Sequence, residues 1–239
     1  MGASEAAWTV RPHGKLVEVD DGILTVTGEV EMPLMTLQRR MTVVALAGRR
    51  WLAWSAIALD ETEMAVIGRF GRPAFLVVPN DHHRLDARRW KARFPELQVV
   101  APEGARDKVA EAVLVDTTMP DFDDPAVRFV VVAGTRGHEA ALLVDRADGT
   151  TLILNDLVGN IRTEHGFGGW LLRLMGFAGD EPHIPAPVRM MLVKDTDALR
   201  AQLLEWAALP SLRRIVVSHG ATIEEHAGDA LRALAASLK

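Results

Sequence analysis

The run Ala74-Phe75-Leu76-Val77-Val78 lies between Pro73 and Pro79 and is apolar at every position. A strand with one wet face alternates; a strand without a polar position is buried on both faces. Proline cannot donate to a sheet ladder, so the two prolines suit only its ends. Such a strand needs a cover on each side, which a layered α/β arrangement supplies. Gln98 to Ala101 and Arg214 to Val217 are further short buried strands of this kind. Helical segments stand around them. Asp60 is a good N-cap with Glu63 as its capping-box partner, which predicts a helix from about Glu61 to Gly68. Asp86 to Phe94 reads as a helix ended by Pro95, and another runs through Ala112. Asp197 to Ala208 is amphipathic, and Thr222 to Leu238 reads as a closing helix with Thr222 and Glu225 as a second capping box.

Other segments are strand-rich. Lys15 to Val19, Ile23 to Val26, Met41 to Ala47 and Trp51 to Ile57 precede the first helix, with Gly28 marking a bulge or bend. Val127 to Ala133, Ala140 to Asp145 and Thr151 to Leu154 open the second half, the last two joined by a turn at Asp148-Gly149. The order is strand-rich, then βαβα, then strand-rich, then βα. Two β-then-α halves, about residues 10–115 and 125–239, predict one domain built as a four-layer αββα sandwich. Gly166 to Pro187 carries mixed signals and reads as a loosely helical insertion, flanked by His165 and His183.

Composition removes several kinds of chemistry. The chain has no cysteine, which excludes disulfides, thiolate nucleophiles and thiolate metal sites together. Its net charge is −5, so no basic field favours nucleic acid, and arginine pairs such as Arg39-Arg40 are expected on solvated surfaces. Met1 to Asp20 lacks the apolar core of a signal peptide, and no apolar stretch approaches the roughly 20 residues of a membrane span. The expectation is a cytoplasmic protein acting on a small molecule, with no membrane partner.

In layered α/β folds ligands bind where strands end. Four places meet that condition: Asn80-Asp81-His82-His83 after the strand ending at Val78, His138 before Ala140, Asn155-Asp156 after Leu154, and His219 after Val217. Histidine and aspartate from separate strands suit a zinc or iron ion. These motifs resemble the metallo-β-lactamase superfamily. Thr135-Arg136-Gly137-His138 resembles its third histidine motif, Leu154-Asn155-Asp156-Leu157 its aspartate motif, and Val216-Val217-Ser218-His219-Gly220 its last histidine motif. Order and spacing agree from about Leu16 to the C-terminus. The first motif, HxHxDH in the family, reads Asn80-Asp81-His82-His83-Arg84-Leu85 here. The branch resembled is an uncharacterised one.

The resemblance implies His82, His138, Asp156 and His219 as ligands of one zinc or iron ion at most, with Asp156 in the bridging, catalytic place. Arg84 stands where the family has its water-orienting aspartate and cannot ligate a cation. The implied activity is hydrolysis of an ester, thioester, lactone or phosphodiester by metal-activated water. Asn80, Asp81, His83 and Arg84 are second-rank ligand or substrate contacts, with a shifted loop register exchanging His82 and His83. The bland alternatives remain beside these. His138, Asp156 and His219 also suit a metal-free hydrogen-bonded cluster. An inward Arg84 would pair with Asp156 and fill the cation's place, giving an inactive protein that binds a small anion or a protein partner. Asp81 and Asp86 beside helix starts are more often caps than ligands. His13 and His226 read as structural, and Trp51, Trp54, Trp170 and Trp206 as core.

Overall fold

The computed structural model describes residues 7–32, 35–162, 173–174 and 176–238. The chain divides into two compact units, Met1–Val30 with Gln38–Val127, and Glu31–Leu37 with Arg128–Lys239. Among the described residues no helix is long and apolar enough to cross a membrane.

The first unit is built on a six-stranded sheet of β1 (Val17–Asp20), β2 (Ile23–Met32), β3 (Met35–Leu46), β4 (Arg50–Trp54), β5 (Arg72–Val77) and β6 (Gln98–Val100), in that order. The pairing β3–β4 is antiparallel, while β4–β5 and β5–β6 are parallel. Parallel neighbours need crossovers, and helices α1 (Glu61–Gly68) and α2 (Ala87–Arg93) provide them. A third helix, α3 (Arg106–Ala110), follows a short 3-10 turn at Glu103–Ala105. Met64, Ile67, Ala87, Trp90 and Val109 of the helices pack with Val43, Trp51, Ala53 and Leu76 of the sheet. Trp90 meets Trp51 edge to face, ring centres 6.0 Å apart, a preferred aromatic geometry. The opposite-parity residues Val44, Leu52 and Val77 are fully buried too, so the continuous apolar run of β5 is explained by burial on both faces.

The second unit has a five-stranded sheet: β7 (Val127–Val131), β8 (Ala140–Arg146), β9 (Gly149–Arg162), β10 (Ala178–Gly179) and β11 (Leu212–Gly220). Strand β9 is its axis, antiparallel to β8 and parallel to β10 and β11. Helices α4 (Ala186–Leu192), α5 (Thr196–Ala207) and α6 (Ala227–Ser237) complete it. Leu199, Leu203, Trp206, Leu231 and Leu234 pack on Leu152, Leu154, Ile215 and Val217.

Several sequence expectations shift here. The Asp60 carboxylate caps α1, accepting from Glu63 N at 3.0 Å. Glu63 does not reach back; its carboxylate accepts from Leu16 N at 2.8 Å, so a distant backbone amide takes it from the capping box. The closing helix begins at Ala227, behind a left-handed His226, and Thr222 bonds Glu224 instead of forming a box. Ile223 pairs with Ile215 as an isolated bridge, which holds this stretch beside the sheet. Arg39 and Arg40, expected in solvent, are 5% and 8% exposed within β3. Desolvation pushes the Arg40 guanidinium below its ordinary pKa. His165, Trp170 and most of the insertion lie outside the described residues, while His183 ties its own loop through Glu181 O and Gly176 O.

Candidate metal centre

In the second unit the centre begins with a break in register. Residues from Leu212 to Val217 of β11 run beside Thr150 to Leu154 of β9; beyond the break His219 pairs with Gly159. Asn155 to Val158 therefore stand opposite Ser218 alone, a wide bulge in β9. Asp156 and His219, expected in loops, lie inside the strands, and the bulge re-aims Asp156. Two side-chain pairs cross it. Ser218 Oγ donates to Asn155 Oδ1, both residues being buried. Half-buried His219 bonds Asp156 Oδ1 through Nε2 at 3.0 Å. Gly220 makes the approach possible: its φ is 96°, and a Cβ there would sit 2.0 Å from the Asn160 carbonyl oxygen.

His138 sits before β8 at the end of a tight turn, its N–H donating to Thr135 O at 3.1 Å. Arg136 and Gly137 take φ of 52° and 79°, which explains the glycine in this motif.

In the first unit, Asn80 organises the loop after β5. Its buried Oδ1 accepts from His82 N at 2.9 Å and His83 N at 3.1 Å, an Asx turn. The turn leaves His82 exposed and His83 half-buried. His83 Nδ1 lies 2.5 Å from Ser55 Oγ. Asn80 thus spends its oxygen on backbone amides. Asp81 is half-buried in the same loop. Arg84 bonds the Lys108 carbonyl and pairs with Glu111 at 2.8 Å. Lys108 and then Arg84 hold the Glu111 carboxyl below the usual carboxylate range. Asp86 is no cap: buried, it pairs with Arg39 and, at 2.9 Å, with Arg89.

Among the described residues, Asp156 and His219 of the second unit offer two ligand atoms that could share a metal ion, and His83 of the first unit offers a further imidazole. Two imidazoles and a carboxylate form the donor set of mononuclear zinc sites with an open position, and equally of non-haem iron sites. Tetrahedral bonds of about 2.0–2.1 Å place donors roughly 3.3 Å apart, near the 3.0 Å between Asp156 Oδ1 and His219 Nε2. Sequence reasoning missed Ser55, which stands at the end of an apolar strand with nothing in its local pattern to mark it.

No family model matches the chain, and no curated protein does. Solved structures do. A metallo-β-lactamase from Erythrobacter litoralis, with β-mercaptoethanol in its active site, aligns over 93% of this chain and 96% of its own, at 13% identity and TM-score 0.61. The metallo-β-lactamase DIM-1, exposed to ceftazidime, aligns over 97% of this chain and 100% of its own at 12% identity and TM-score 0.62. The mono-zinc form of FIM-1 from Pseudomonas aeruginosa covers 97% of this chain and 98% of its own, at 12% identity and TM-score 0.60. The chain therefore has the metallo-β-lactamase fold, the α/β class of αββα sandwich that its strand and helix order predicts.

Proposed function

We propose that this chain is a metallo-β-lactamase-like hydrolase using at most one metal ion, zinc or iron, held by His83, Asp156 and His219. The observation that carries the reading is the Asp156–His219 pair, set at 3.0 Å by the bulge in β9. Asp156 supplies the carboxylate and the two histidines supply neutral imidazole nitrogens. A bound divalent ion contributes Lewis acidity, polarising a carbonyl or phosphoryl oxygen and acidifying water near it. The chain's own part is to fix the donors and leave a position open for substrate. Candidate substrates are esters, thioesters, lactones and phosphodiesters. FIM-1 has a mono-zinc form, which supports one ion as a workable state of this fold. His82 and His138 stand outside this donor set and serve as the contrasting variants.

Arg84 bears on the alternative, an inactive protein binding a small anion or a protein partner. Its guanidinium is engaged by Glu111, so its charge is already compensated. The alternative keeps one observation in its favour: Asp156 and His219 satisfy each other by hydrogen bonding without any ion.

Metal content separates the two. Protein stripped with chelator, dialysed against zinc or ferrous iron and then against buffer is expected to retain one ion per chain. His83→Ala, Asp156→Asn and His219→Ala each lose it, while His82→Ala and His138→Ala retain it. No metal above background in the wild-type protein rejects the hydrolase reading. Loss in His82→Ala with retention in His83→Ala returns the ligand to the position that motif alignment favours.

A further inference from the structure

Ser55 directly follows β4 and has a backbone that serine seldom adopts. Its φ is 55°, in the left-handed region, where a non-glycine residue is infrequent and carries a conformational cost. The strain is held in place: Ser55 N donates to Val77 O at 3.0 Å, fastening this turn to the end of β5. The outcome of the geometry is that Ser55 Oγ lies 2.5 Å from His83 Nδ1.

A close serine–histidine pair on a strained backbone has two chemical uses. As a nucleophile, the hydroxyl must reach a substrate carbonyl. Ser55 is 1% exposed, so it cannot. As an anchor for an imidazole, the hydroxyl needs to be buried and rigid, and it is both. We propose that Ser55 is a positioning residue: it engages Nδ1 of His83 and so makes Nε2 the nitrogen that faces a metal ion. The proposal rests on the reading of His83 as a ligand. A neutral imidazole carries one proton and one lone pair, and the partner of one nitrogen decides which nitrogen ligates. With Nε2 on a metal, the Nδ1 proton donates to Ser55 Oγ. Partners of this kind on ligating histidines are worth 10–100-fold in metal affinity. The left-handed turn is then the cost of aiming Oγ at the ring.

Ser55→Gly and Ser55→Ala test this together, because glycine takes a φ of this sign without strain. Three measurements are made on each intact protein: thermal melting, zinc affinity against a chromophoric chelator, and nitrogen NMR of the metal-free histidine rings. Ser55→Gly is expected to melt no lower than wild type, yet bind zinc about 10–100-fold more weakly. In both variants the His83 ring nitrogens, assigned through His83→Gln, are expected to move toward tautomer-averaged positions. A merely structural serine would lower the melting temperature and leave the ring signals alone. Unchanged His83 signals in both variants overturn the proposal. If wild type takes up no zinc while the variants still shift the His83 signals, the hydrolase reading fails and the anchoring of the ring stands.

Discussion

Asp86 is a carboxylate 2% exposed, with Arg39 on one oxygen and Arg89 on the other. A buried charge of this kind is tolerable only while paired, and removing it strands two guanidinium groups. Asp86→Ala is expected to cost about 3–5 kcal/mol, read as a lowered midpoint in urea denaturation. A midpoint within error of wild type would show that the network carries no such burden. Its position ahead of a helix suggests a cap, because the sequence displays only neighbours, and Arg39 is 47 residues away. Arg84 shows the same non-locality: its partner Glu111 is 27 residues on. The pair also has a defined pH response. Glu111 has a lowered pKa in the fold, so its contribution is present above the ordinary carboxylate range and is lost as pH falls through the lowered value. The melting difference between wild type and Glu111→Gln should therefore be constant near neutrality and vanish in acid. A difference that grows in acid would contradict this assignment.

At the scale of elements, local signals placed α1, where Asp60 caps as its pattern requires, and β5, whose apolar run has both faces buried. They failed where pairing at long range decides the outcome. Nothing near Thr222 reveals that Ile223 will bridge to Ile215, shortening α6 to Ala227–Ser237. The bulge in β9 is equally invisible, since it is a relation between two strands and not a property of either. Its buried Asn155–Ser218 pair holds the register that brings Asp156 to His219. Ser218→Ala leaves the Asn155 amide group without its hydroxyl partner in a dry place. The expected loss is about 1–3 kcal/mol by urea denaturation, with weaker metal retention following from the loosened bulge. Unaltered stability would mean that backbone pairing alone fixes the register.

For the whole molecule, the order of strands and helices was enough to predict the αββα sandwich, a fold shared with DIM-1 and the Erythrobacter protein at only 12–13% identity. The centre was less legible. The motifs single out Asp156 and His219 as candidates, but which of His82 and His83 is turned away from solvent depends on a turn around Asn80 that counting along the chain cannot see. A metal held by residues from distant parts of the sequence binds the folded chain and not the unfolded one, so it must raise stability by mass action. Free zinc at 100 times its dissociation constant adds about 2.7 kcal/mol. For a chain of 239 residues this is roughly 5–11 °C in melting temperature, reversed by chelator. His219→Ala should melt at the same temperature with and without zinc. A rise that persists in His219→Ala would place the ion elsewhere, since Asp156 and His83 alone form no three-donor site. Equal melting of the wild-type protein in zinc and in chelator would mean that the Asp156–His219 pair is complete as a hydrogen bond, leaving the fold without its metal chemistry.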